Sequence, residues 1–148
     1  MPKFALLVRA TPTSESGTFP PEMNTLLTEM AAYNDALLGA GVLLAGDGFL
    51  PSSKGARVRF SSSPDAEPSV EHGPFDVASL VSGYWILETE SLEEAIGWAK
   101  KVPFRTDDAV VEVRRVSGVE DFEGVADEVK MLDEGLRKRL EESRGQGK

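Results

Sequence analysis

The run Tyr84-Trp85-Ile86-Leu87, set behind a Gly73-Pro74-Phe75 turn, is the segment that most limits what this chain can become. Gly-Pro is strong turn punctuation, because proline fixes φ and has no N–H to offer a sheet ladder. The strand behind it, Val81 to Glu88, is short, aromatic and β-branched, and it is apolar on both parities. Such a strand needs cover on both faces. Helices can supply one side, and something else must supply the other. The same stretch, entered through Val70-Glu71-His72, holds the only histidine of the chain.

The segments around it alternate between strand and helix. Lys3 to Ala10 reads as a buried first strand with Phe4, Leu6 and Val8 on one face, ended by Arg9. Thr11 to Thr18 reads as a polar loop. Pro20-Pro21 opens a helix, since the first turn has no need of those N–H groups. Glu22 to Ala40 carries Leu26, Met30, Tyr33 or Asn34, Leu37 and Leu38 at helical spacing, and Gly41 is placed to stop it. Val42 to Leu50 is a second strand, broken by Gly46-Asp47-Gly48. Pro51 to Gly55 is a turn, Ala56 to Ser61 alternates like an exposed hairpin strand, and Ser61 to Ser69 is loop.

Beyond Glu88, Ser91-Leu92-Glu93-Glu94 has the form of a capping box. Leu92, Ala95, Ile96 and Ala99 give the helix its buried stripe, and Pro103 ends it. Ala109 to Val116 is the last strand. Val125, Val129, Leu132, Leu136 and Leu140 then mark an amphipathic C-terminal helix, with a fraying tail from Ser143. The order is β-α-β, a hairpin insert, β-α-β and a terminal helix. That is an α+β, ferredoxin-like split βαβ pattern with an antiparallel sheet. It divides the chain into a domain over 1–122 and a helical extension over 123–148. Two helices cover one sheet face, so the other, bearing Trp85 or Tyr84, is expected to meet the sheet of a second subunit in a homodimer.

Composition removes several function classes. The net charge is −9 and the basic residues are scattered, which disfavours nucleic acid and anionic membrane as partners. With no cysteine there is no disulfide, thiolate nucleophile or cysteine-bound zinc. One histidine leaves no histidine-cluster metal site, and no metal is expected. No segment approaches the roughly 20 apolar residues of a membrane span, so a soluble, cytoplasmic protein is the default expectation.

Three motifs together point to a family. Gly41-Val42-Leu43-Leu44-Ala45-Gly46-Asp47-Gly48, Pro51-Ser52-Ser53-Lys54-Gly55-Ala56-Arg57-Val58-Arg59-Phe60, and Gly73-Pro74-Phe75 followed by Ser82-Gly83-Tyr84-Trp85 resemble the YCII-related family, and its DGPF-domain branch in particular. The resemblance extends to about Phe122. It implies a dimeric α+β barrel of ferredoxin-like subunits, akin to small cofactor-free isomerases, cyclases and monooxygenases. Two positions depart from the pattern. The aspartate before Gly-Pro-Phe is His72 here, and the segment after it is reduced to Asp76-Val77-Ala78-Ser79. The first helix begins Pro21-Glu22-Met23-Asn24, without the histidine that the shorter YCII branch carries there.

The candidate chemistry follows from residue type. His72 can act as a general acid or base near neutral pH, or simply cap a turn. Asp47, between two glycines, can orient His72 or occupy a bulge. Arg9 ends an otherwise apolar strand and can hold a carboxylate or an enolate bidentately, whereas Arg57 and Arg59 suit surface ion pairs. Tyr84, Trp85 and Phe75 can line a substrate pocket, or serve as core and interface. Two functions are consistent with this set. One is a cofactor-independent isomerase, cyclase or lyase acting on a small hydrophobic or carbonyl-bearing molecule. The other is a small-molecule-binding or regulatory interaction module without turnover. Both place the site where the Gly-Pro-Phe turn meets the Gly46-Asp47-Gly48 strand.

Overall fold

The computed structural model describes residues 1–18 and 20–146, Gln146 by its backbone alone. It divides into two compact units, Met1–Arg115 and the segment from Val116 onward. The first unit holds a four-stranded antiparallel sheet built from β1 (Lys3–Arg9), β2 (Leu43–Gly48), β5 (Val81–Glu88) and β6 (Val111–Arg115), in the order β2-β5-β1-β6. A separate hairpin pairs β3 (Ala56–Arg59) with β4 (Ser69–His72). Helices α2 (Met23–Gly39) and α3 (Leu92–Ala99) connect the strands, as the β-α-β pattern requires.

Strand parity settles which residues meet the helices. Phe4 and Leu6 of β1 lie opposite Leu87 and Trp85 of β5, and all four are buried. Tyr33 and Leu37 of α2 and Ala95 of α3 complete this core. The alternate residues, Ala5 and Leu7 on β1 with Tyr84 and Ile86 on β5, therefore share the opposite face. Trp85 thus lies on the helix-covered side, and of the two aromatic residues Tyr84 alone belongs to the open face. The apolar run has no parity preference of its own, so only its pairing partners decide this.

Two local details differ from the sequence expectation. The segment after β1 is not all loop: α1 (Pro12–Ser16) starts at Thr11, whose Oγ1 accepts the Ser14 N–H while the Ser14 Oγ accepts the Thr11 N–H. Gly17, at φ +72°, then turns the chain in a left-handed conformation that glycine adopts without strain. At α3, the Ser91 Oγ accepts the Glu94 N–H as expected, but the Glu94 carboxylate takes the N–H of Glu90. Gly41 does end α2, at φ +75°.

The second unit contains a short 3-10 turn, η3 (Val119–Asp121), and α4 (Asp127–Gln146). The helix includes Ser143 to Gln146, the start of the tail expected to fray; residues 147 and 148 of that tail lie outside the described residues. Among the described residues, no helix is long and apolar enough to cross a membrane.

Glycine at position 73 is required by contact. Its N–H donates to the Gly55 carbonyl at 3.0 Å, and a Cβ there would collide with the backbone carbonyl of Ser52. Gly97, inside α3, has nothing within 4 Å of the equivalent position. Gly73→Ala should therefore lower stability by about 1–3 kcal/mol through overpacking. Gly97→Ala should raise it by about 0.5–1 kcal/mol through helix propensity. Urea unfolding followed by tryptophan fluorescence tests both, and a Gly73→Ala variant as stable as the parent would contradict the close packing of this turn.

Candidate functional site

A cavity of about 640 Å³ opens at the end of the sheet where β1 leaves the core. Val8 and Ser82 form its sheet wall, Met23 and Leu26 of α2 its helical wall, and Pro103, Phe104 and Ala109 the third side. Thr13 and Ser14 of α1 close part of the rim. This volume falls in the range of small-molecule sites, about 300–1,000 Å³, and its walls are mainly apolar.

A charged group borders this cavity, next to a bulge in β5. Val8 pairs with Gly83, but Arg9 pairs with Val81, so the register skips Ser82. The extra residue lies on β5, and Val8, Arg9 and Ser82 all border the same space. The Arg9 Nη2 donates to the Ala78 carbonyl at 2.7 Å, which fixes one corner of the guanidinium. The rim also carries Glu22, Asp108 and an ion pair, Arg105 to Glu29 at 2.9 Å, that spans from α2 to the segment before β6.

The other residues singled out in the sequence lie elsewhere. His72 sits at the end of β4 opposite Ala56, exposed, and its imidazole forms no hydrogen bond or ion pair with any described residue. It therefore forms no pair with Asp47. Asp47 instead accepts a hydrogen bond from the Tyr84 hydroxyl at 3.1 Å on the open face, where the Phe49 ring lies 5.7 Å from that of Tyr84. Trp85 is a core residue: its Nε1 donates to the Asn34 Oδ1 at 2.7 Å, and its ring meets Tyr33 edge-on at 5.2 Å.

Phe75 belongs to a third cluster, beneath the hairpin. The Phe75 N–H donates to the Ser52 Oγ at 3.0 Å, and the Ser52 hydroxyl and N–H both donate to the Glu15 carboxylate of α1. The Arg57 guanidinium lies 4.0 Å from the Phe75 ring centre and donates to the Ser79 Oγ at 2.9 Å. These groups border a smaller cavity of about 220 Å³. Of the predicted site residues, then, only Arg9 borders the large cavity. Met23, Leu26, Phe104 and the α1 rim were missed. The Thr11-Pro12 pair with Ser14 three residues after the cap was a readable helix start; nothing local marked Phe104.

A family model, that of the YCII-related domain, matches residues 2–120 of the chain, a span that includes all three clusters. No curated protein matches it significantly.

The two tyrosines offer a direct test of the geometry. The hydrogen bond to Asp47 raises the Tyr84 phenol above its ordinary value, with smaller contributions from desolvation and the Asp47 charge. Burial pushes Tyr33 up to about 12. An unfolded tyrosine ionises near 10, so the folded state favours neutral Tyr33. That contribution is complete below pH 10 and is lost as pH rises to about 12. Asp47→Ala should lower the Tyr84 ionisation toward the ordinary value and leave Tyr33 unchanged, as read by ultraviolet absorbance across an alkaline titration. Two unaltered ionisations would mean that Asp47 and Tyr84 do not interact in solution.

Proposed function

The chain belongs to the YCII-related domain family, and from that premise we propose that it binds a small amphipathic molecule, an apolar body with an anionic head, without turning it over. The observation that carries this reading is the 640 Å³ cavity, apolar in its walls and bordered by Arg9. Arg9 uses one donor on Ala78. A guanidinium has five, so the others are free to hold a carboxylate or enolate. His72, the acid–base candidate, stands on the hairpin rather than on the cavity lining. This separation favours the binding module over the isomerase, cyclase or lyase reading.

Filling the cavity should abolish binding. Leu26→Trp should remove the fluorescence enhancement of an anionic naphthalene dye and its displacement by medium-chain carboxylates. Arg9→Ala should weaken the carboxylates by about ten- to a hundredfold, the equivalent of about 1.5–3 kcal/mol for a hydrogen bond to a charged group, and leave the matching alcohols little changed. Dye binding that ignores Leu26→Trp would overturn the assignment of the cavity.

The same reading includes a homodimer formed by the open sheet faces. Ala5, Leu7, Ile86 and Ala45 supply an apolar centre, with Lys3 and Arg114 set among Asp47, Glu88 and Glu112. A two-fold contact brings the same patch from each copy together, and this patch carries both charge signs. Ile86→Glu places an uncompensated charge at that centre. It should shift dissociation to a higher protein concentration in a light-scattering dilution series, whereas an unchanged dissociation would place the contact away from the sheet face.

A further inference from the structure

Helix α4 presents an apolar stripe that nothing in its own unit covers. Val129, Leu132, Leu136 and Leu140 recur at intervals of three, four and four, so they share one face, and each is at least 49% exposed. An exposed row of this kind on a 20-residue helix marks an interaction surface. Its charges say what kind. Between Asp127 and Gln146 there are six acidic and five basic side chains, interspersed along the helix. Neither a polyanion nor an anionic membrane is matched by that pattern, both of which need a predominantly basic face.

We propose that α4 pairs antiparallel with α4 of a second copy of this chain. With the two-fold passing close to residue 134, Val129 meets Leu140 of the second copy and Leu132 meets Leu136, so the stripe covers itself. The same alignment brings Glu128 level with Arg139 of the second copy, and Arg139 level with its Glu128. Neither forms an ion pair with any described residue within its own chain. A parallel alignment instead puts the two copies of this flank on opposite sides of the seam, where Glu128 and Arg139 cannot meet. The opposite flank carries Asp133 and Arg137, already paired at 2.8 Å within the helix, with Glu120 of η3 close enough to act on Arg137. The Glu128–Arg139 flank is thus the one that sets orientation.

The chain has no cysteine, so introduced ones report without background. Val129 and Leu140 are about 16 Å apart along one helix at 1.5 Å per residue, beyond the roughly 7 Å reach of a disulfide. Under mild oxidation, the double variant Val129→Cys/Leu140→Cys should give a disulfide-linked dimer in a non-reducing mass measurement, and each single variant should not. Arg139→Glu in the double-cysteine background should lower the yield several-fold, and Glu128→Arg with Arg139→Glu should restore it. Circular dichroism confirms that these exposed changes leave the helix formed. Equal cross-linking by a single variant, or no cross-linking by the double one, overturns the antiparallel pair. So does a yield indifferent to the charge exchange.

Discussion

The packing of Trp85 between the sheet and α2 is the interaction on which the rest of the first unit depends. Trp85 sits opposite Leu6 on the central strand pair, donates its indole N–H to Asn34 and takes the edge of Tyr33 against its ring. The neighbouring strand must make room: a Cβ on Gly46 would stand 2.7 Å from the indole Cδ1. Glycine at that position is therefore a packing requirement rather than a sign of ligand approach. Asn34, Tyr33 and Leu37 all lie in the C-terminal half of α2, so the helix is fastened to the sheet at that end. Its N-terminal turns, with Met23 and Leu26, face the cavity instead. Core and cavity are two ends of one helix contact.

The end of β1 completes this division. A strand in regular register alternates its side chains, and Arg9 would belong to the face that carries Leu7 and Tyr84. The pairing skips Ser82, so the extra residue and the shifted alternation lie on β5. The apolar strand β1 finishes with a cation at the rim of an apolar cavity, its guanidinium tied to Ala78. A cation at that rim changes what the cavity can hold.

Much of the fold was legible in the sequence because it rests on local periodicity. The strand and helix order, the stripe of α2 at Tyr33 and Leu37, the stop at Gly41 and the Ser91 cap all depend on residues within a turn or two of one another. The site was less legible because it depends on strand order and parity. Asp47 and Tyr84 are brought together across β2 and β5, Arg9 stands where the β1–β5 register shifts, and His72 is carried away on a hairpin. None of these follows from spacing. An apolar run such as Tyr84-Trp85-Ile86-Leu87 reads the same in either orientation, which is why the face of Trp85 could be fixed only by its partners. Phe104 lacks any periodic context and joins the cavity through the path of the chain after α3.

The Gly-Pro-Phe turn, densest in family resemblance, works here through structure. Gly73 closes the hairpin onto Gly55 and passes against Ser52, and Phe75 reaches the Ser52 hydroxyl through its backbone N–H. Ser52 in turn holds Glu15, and Glu15 belongs to the five-residue helix whose Thr13 and Ser14 border the large cavity. A short helix of that length has little stability of its own. Its position therefore depends on its cap and on this hydrogen-bonded tie to the hairpin. The signature turn and the cavity are thus connected through two side chains, Ser52 and Glu15. A motif can therefore be specific to a family, stand apart from the ligand-sized space, and still determine the shape of that space's rim.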